Sequence, residues 1–222
     1  MRILDTHLHL IYPDRFSYPW LQRRPTINKP WSIDDYFAEA LPLGIESALH
    51  MEVDVAEADM MAESEFVVTL PRIAGAIAAC RPENMNFVDH IEQLSGHPHI
   101  TGVRRILHEV PDDLSQSDLF VENIRHLPDY DLSFDLCVRA DQLPIGQMLA
   151  ERAPDVTFIL DHCGVPDVTG SGLDPWRANI ARIAKVPNVN AKISGIVAYA
   201  GPDWTVDSIR PYVLHIIESF GW

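Results

Sequence analysis

The sequence is short of basic residues, which number 17 against 32 aspartates and glutamates and leave a formal net charge of -15. Proteins that bind nucleic acids present a basic surface, because contacts to the phosphate backbone dominate their affinity. The acidic balance therefore disfavours a nucleic-acid partner. It disfavours an anionic membrane surface for the same reason, so we expect neither partner.

Long hydrophobic runs and cysteines are also scarce. The longest unbroken apolar run covers the eight residues from Ile73 to Cys80, far fewer than the roughly 20 that a membrane-spanning helix needs. The first residues alternate between polar and apolar, unlike a secretory signal peptide. Three cysteines in 222 residues do not make a disulfide framework. We therefore expect a cytoplasmic protein.

Seven short segments rich in branched residues alternate with stretches of helical periodicity, the pattern of repeated βα units in a parallel sheet. The starts of these segments are about 31 residues apart on average, which is the repeat of a TIM-type (β/α)8 barrel. They lie near Arg2, Ile45, Ile73, Ile100, Leu132, Thr157 and Val189. The sequence predicts an α/β fold of this type, with residues 1–222 forming a single domain.

The same repeat would place an eighth strand near residue 220, and the sequence ends at Trp222. We therefore expect a barrel that lacks its eighth strand and a domain that is incomplete at its C-terminal end. Exposed strand edges favour pairing with another chain, so a homo-oligomer is a further expectation.

Two helices carry recognisable start signals. Ser32 precedes an apolar stripe and is the predicted N-cap of the first helix. Ser208 is a candidate N-cap of the last helix; if it is the cap, Pro211 lies in the first turn. Gly221 is the predicted stop of this helix.

Polar side chains are concentrated at the predicted carboxyl ends of the strands. Because side chains alternate along a strand, Asp5, His7 and His9 share one face of the first strand. Active sites of such barrels lie at the carboxyl ends of the strands, and burying two imidazoles there is costly unless they bind something. A ligand or catalytic role is favoured over a structural histidine pair.

Further ionisable or polar groups follow the other strands, and we expect them to converge on the same end of the barrel. The predicted site residues beyond the first strand are His50, Arg104, His108, His162, Lys192 and Ser194. Each of them alone has an ordinary structural explanation. Their recurrence at successive strand ends indicates one site.

Several motifs in chain order resemble the amidohydrolase superfamily, in particular its "amidohydrolase 2" branch, which contains lactonases of the sugar-lactone and 2-pyrone-4,6-dicarboxylate type. The resemblance covers most of the chain. It rests on Asp5-Thr6-His7-Leu8-His9, Tyr18-Pro19-Trp20-Leu21, Gly102-Val103-Arg104-Arg105, Leu132-Ser133-Phe134-Asp135-Leu136, Leu160-Asp161-His162-Cys163-Gly164-Val165-Pro166 and Lys192-Ile193-Ser194-Gly195.

The resemblance implies a hydrolase that opens a small lactone by attack of water on its carbonyl carbon. His7, His9 and His162 would be catalytic and would ligate a divalent metal such as zinc; the branch also has metal-free members. Arg104 and Lys192 would hold a substrate carboxylate or the developing oxyanion. His50, His108 and Ser194 are the other expected substrate-binding residues.

Two alternatives stay open. A metal-dependent decarboxylase or hydratase of the same superfamily uses a similar His-x-His site. The resemblance also places a catalytic aspartate on the eighth strand, which this sequence does not reach, so we expect impaired lactonase activity or a catalytically silent, truncated barrel.

Overall fold

The computed structural model describes residues 2–170 and 173–221, and it contains seven strands and seven α-helices in regular alternation. The strands are Ile3–Leu8 (β1), Ile45–Met51 (β2), Ile73–Ala79 (β3), Ile100–Ile106 (β4), Ser133–Cys137 (β5), Phe158–Leu160 (β6) and Val189–Ala191 (β7). The helices are Ile33–Ala40 (α1), Met60–Val67 (α2), Phe87–Ser95 (α3), Asp118–Ile124 (α4), Leu143–Arg152 (α5), Trp176–Ile183 (α6) and Val206–Phe220 (α7).

Strand order follows chain order from β1 to β7. This is the arrangement of a TIM-type (β/α) barrel in which the described residues supply seven strands and no eighth. Each predicted strand is present and begins within one residue of its predicted start, so the fold prediction is confirmed. No helix among the described residues combines the length and apolar character that a bilayer crossing requires.

Contacts divide the chain into two compact units. The first unit comprises residues 1–80 and 89–104, and the second comprises residues 81–88 and 105–222. The prediction of a single domain stays a prediction.

In the first unit, β1 pairs in parallel with β2, and β2 pairs in parallel with β3. Leu8 and Leu10 are buried against Ile33 and Phe37 of α1. Leu4, which alternation along β1 puts on the same face as these two leucines, is 44% exposed. Helix α1 begins after its predicted cap, Ser32. The Ser32 hydroxyl accepts a hydrogen bond from the backbone amide of Asp35, the third residue of the helix.

In the second unit, β5, β6 and β7 are parallel neighbours. Phe134 of β5 contacts Phe120 and Phe158 edge to face, with ring centroids 6.1 and 5.6 Å apart. These three rings are fully buried, and they join α4 to the inner strands of the unit.

The predicted N-cap of the last helix is wrong. Thr205, not Ser208, caps α7, and Ser208 is the third residue of the helix, where it forms a capping box with Thr205. Both residues can act as caps, and the sequence pattern alone favoured the later one. Pro211 consequently lies inside the helix rather than in its first turn, whereas Gly221 ends the helix as predicted.

Candidate active site

His7 and His9 meet through their ring nitrogens in the first unit. The Nε2 atoms of the two residues are 3.2 Å apart, and the His9 Nδ1 lies 3.0 Å from the Met51 carbonyl oxygen. A carbonyl oxygen can only accept, so the proton of His9 is on Nδ1 and its Nε2 carries a lone pair. The His7 Nε2 lies within hydrogen-bond distance of that lone pair.

This pair fits a metal ion. Two nitrogens that bind one zinc at about 2.0 to 2.1 Å with a tetrahedral angle lie roughly 3.4 Å apart, and the observed separation is 3.2 Å. Neutral imidazole nitrogens are ordinary ligands for zinc. His7 and His9 could therefore bind one divalent ion together.

The imidazoles near this pair are held neutral. Burial lowers the pKa of His9 well below its usual range, and the positive charge of Arg104 adds to the shift. Burial also lowers the pKa of His50 to about 3, with a further contribution from Arg104. His50 is 1% exposed, and its Nε2 has no hydrogen-bond partner among the described residues. A neutral, unsatisfied imidazole nitrogen is suited to a hydrogen bond with a substrate.

Arg104 is paired with a carboxylate inside the first unit. Its Nε donates to the Glu52 carboxylate over 2.6 Å, and one terminal nitrogen donates to the Glu52 carbonyl oxygen over 2.7 Å. Both side chains are buried. The second carboxylate oxygen of Glu52 accepts from the Asp54 amide at 2.7 Å, so the pair is well satisfied.

Glu63 of α2 is a second buried acid in this region. Neither of its carboxyl oxygens has a partner within hydrogen-bond distance and angle among the described residues. Burial raises the pKa of Glu63 well above its usual range, and the negative charge of Glu52 adds to the shift. The nearby Val53 amide offsets only part of it. Burial therefore favours the neutral form of Glu63 over the charged form.

In the second unit, Lys192 lies between two buried aspartates. Its ammonium group forms an ion pair with Asp135 and lies 3.6 Å from the Asp161 carboxylate. Both aspartates are fully buried. The predicted anion-binding group thus already faces two carboxyl groups of the protein itself.

His162 stands on a turn of unusual backbone conformation. Four successive residues have positive φ angles, which are 54° at His162, 55° at Cys163, 66° at Gly164 and 47° at Val165. Non-glycine residues rarely adopt this region, at a cost of the order of 1 to 3 kcal/mol each, and such residues cluster at functional sites.

The segment after β7 contacts the His162 ring directly. The Ser194 hydroxyl lies 3.2 Å from the His162 amide nitrogen and 3.1 Å from its Nδ1. Gly195 has φ 61°, and a β-carbon there would lie 2.4 Å from the His162 Nδ1. Glycine is required at this position both for its conformation and for space.

His108 has a different set of contacts within the second unit. Its Nδ1 lies 3.2 Å from the Cys137 sulfur, and its Nε2 lies 3.6 Å from the Glu109 carboxylate. Arg139 donates to the carbonyl oxygen of His108 over 2.8 Å. The substrate-binding role predicted for His108 stays a prediction.

Sequence reasoning missed most of the carboxylates that neutralise the predicted cations. Glu52 and Asp135 have the strand parity of predicted site residues, and Asp161 directly precedes His162. Parity gives the face of a side chain but not its ionic partner. Glu63 had one signal, because it follows Met60 by three residues and so shares the buried stripe of α2.

Comparison with known proteins finds a matching family and several relatives of this chain. The family model described as Amidohydrolase matches residues 4–222. The L-fucono-1,5-lactonase of Burkholderia ambifaria is 30% identical over 132 residues, which cover 59% of this chain and 46% of that relative.

Two solved structures resemble the whole chain. An amidohydrolase from Burkholderia multivorans, crystallised with bound zinc, has a TM-score of 0.88 at 20% identity, with coverage of 100% of this chain and 81% of that one. A probable 2-pyrone-4,6-dicarboxylic acid hydrolase from Acinetobacter baumannii, with citric acid bound, has a TM-score of 0.79 at 14% identity, with coverage of 100% and 80%. At these identities the likeness establishes the fold.

Proposed function

Because this chain belongs to the amidohydrolase family, we propose that it hydrolyses the ring ester of a neutral sugar lactone. The reaction adds the oxygen of water to the lactone carbonyl carbon, breaks the ring carbon–oxygen bond and yields a hydroxy acid. The partial match to an L-fucono-1,5-lactonase supports a lactone substrate.

We favour a neutral substrate because both predicted anion-binding side chains, Arg104 and Lys192, are already paired with carboxyl groups of the protein. Arg104 is bound to Glu52, and Lys192 faces Asp135 and Asp161. A dicarboxylate would have to displace these buried carboxylates or accept their repulsion. A sugar lactone carries hydroxyl groups instead, and these can hydrogen-bond to carboxylates and neutral imidazoles without a charge penalty.

We propose that His7, His9 and His162 are ligands for a divalent metal ion, as the zinc-containing relative suggests. A zinc ion would act as a Lewis acid on the lactone carbonyl. The separation of the His7 and His9 Nε2 atoms supports two of these ligands. His50 would donate to or accept from a substrate hydroxyl, because its buried imidazole is neutral and its Nε2 lacks a partner among the described residues.

The test measures the hydrolysis of a sugar 1,5-lactone through the protons that the reaction releases. The rate of spontaneous ring opening is subtracted from each measured rate. Wild-type protein loaded with zinc is compared with His9→Asn and with His97→Asn, the latter at a partly exposed histidine that pairs with Glu65. We expect the His97 variant to match the wild type and the His9 variant to fall to the spontaneous rate. Equal rates in all three proteins would contradict the proposal.

A further inference from the structure

The turn that carries His162 is fixed by hydrogen bonds from neighbouring segments of the second unit. The Cys163 amide donates to the Lys192 carbonyl oxygen over 3.2 Å. The indole nitrogen of Trp176 donates to the Cys163 carbonyl oxygen over 2.8 Å. A left-handed turn of this kind persists only where its surroundings determine it, so the position of the His162 backbone is set before any ligand binds.

The orientation of the imidazole needs a separate cause, because a fixed backbone still leaves the ring free to rotate. Ser194 supplies that cause through two contacts of one oxygen atom. Its hydroxyl oxygen accepts from the His162 amide over 3.2 Å and lies 3.1 Å from the His162 Nδ1. One hydroxyl thus ties together the main chain and the ring of the same histidine.

We propose that Ser194 is a positioning residue that accepts the Nδ1 proton of His162 and so fixes the tautomer whose Nε2 lone pair binds the metal. The inference rests on the proposed ligand role of His162. A hydroxyl oxygen has two lone pairs, so it can accept from the amide and from Nδ1 at once. The partner of one ring nitrogen decides which nitrogen is available as a ligand.

Gly195 completes the arrangement on the same side of the ring. A β-carbon at this position would lie 2.4 Å from Nδ1 and 2.9 Å from the ring carbon next to it. The main chain after Ser194 therefore passes directly against the imidazole. Ser194 and Gly195 leave Nε2 as the nitrogen directed away from the segment after β7.

The first measurement is the tautomer of His162 in metal-free protein, read from long-range proton–nitrogen correlation spectra above the usual imidazole pKa. We expect the proton on Nδ1 in the wild type and a mixture of tautomers in Ser194→Ala. Ser194→Thr keeps the hydroxyl and should restore the Nδ1 tautomer. Ser219→Ala is the matched control, because it removes a serine near another histidine, His215, and should leave the His162 signals unchanged.

The second measurement is zinc affinity, by competition with a chromophoric chelator. Loss of a hydrogen bond to a ligating histidine typically weakens metal binding by about 10- to 100-fold, so we expect that loss in Ser194→Ala and not in Ser219→Ala. A wild-type His162 protonated on Nε2, or a Ser194→Ala protein with unchanged tautomer and affinity, would overturn the proposal. The tautomer is independent of turnover, so a failure of the lactonase proposal would not be mistaken for a failure of this one.

Discussion

The guanidinium group of Arg104 donates to the carboxylate of Glu52 over 2.6 Å, and both side chains are almost completely buried. This pair joins the end of β4 to the residue that follows β2. Arg104 was predicted to bind a substrate anion, but Glu52 already compensates its positive charge. The same holds for Lys192, which lies beside Asp135 and Asp161.

Removing one partner of the Arg104 and Glu52 pair should destabilise the protein strongly. Glu52→Gln leaves a buried guanidinium without its counter-charge, and such losses cost about 3 to 5 kcal/mol. The free energy of unfolding, measured with urea, should fall by that order.

The matched control is the double variant Glu52→Gln, Arg104→Met, which removes both charges. It should regain much of the lost stability, because no buried charge is left unpaired. A single variant as stable as the wild type would show that the guanidinium does not depend on Glu52.

Glu63 should make the protein less stable as the pH rises. Its pKa in the folded protein is raised, so the folded state binds the proton more tightly than the unfolded state. The stability from its neutral form is complete below the unfolded pKa of about 4.3 and is lost as the pH rises through the folded value. Glu63→Gln cannot ionise, so it should equal the wild type in acid and exceed it near neutral pH.

Glu92→Gln provides the control, because Glu92 is an exposed glutamate on α3. The free energy of unfolding should be measured with urea at a series of pH values. Its difference from the wild-type value should grow with pH for Glu63→Gln only. Parallel stability curves for the wild type and Glu63→Gln would mean that Glu63 ionises normally.

Gly195→Ala should affect the His162 ring more than Gly201→Ala does, although the two glycines have similar backbone conformations. Gly195 and Gly201 both have positive φ angles, so alanine is strained at either position. At Gly195 the new methyl group would also collide with the His162 ring, whereas at Gly201 it would lie 3.2 Å from a Thr169 methyl group.

We expect both variants to lose about 1 kcal/mol or more of unfolding free energy. Only Gly195→Ala should also weaken zinc binding, as measured by chelator competition. Zinc affinity that falls equally in the two variants would show that general strain, not contact with the ring, is responsible.

The sequence was sufficient for the fold because the βα repeat is strongly periodic. Strand β2, for example, begins at Ile45 as predicted, and α1 begins after its predicted cap Ser32. The start of α7 was missed because Thr205 and Ser208 are both competent caps, and the choice between them depends on hydrogen-bond geometry.

The candidate site was predictable only in part. Alternation along β1 put His7 and His9 on one face, and their ring nitrogens do meet. The electrostatics could not be predicted, because strand parity does not reveal that Glu52, which follows β2, reaches Arg104 of β4 across the intervening strand β3. The turn at His162 was also beyond reach, since Cys163 and Val165 are residues that seldom adopt positive φ angles.

The claim that the protein selects a neutral lactone is tested most directly by calorimetric binding to two stable ligands. One is a sugar lactam, the uncharged amide counterpart of a sugar 1,5-lactone, and the other is the stable citrate trianion. Binding does not depend on turnover, so the comparison isolates the charge of the site. The account predicts binding of the lactam and at least 10-fold weaker binding of citrate, because a factor of ten needs only about 1.4 kcal/mol of repulsion. Tighter binding of citrate than of the lactam would contradict it.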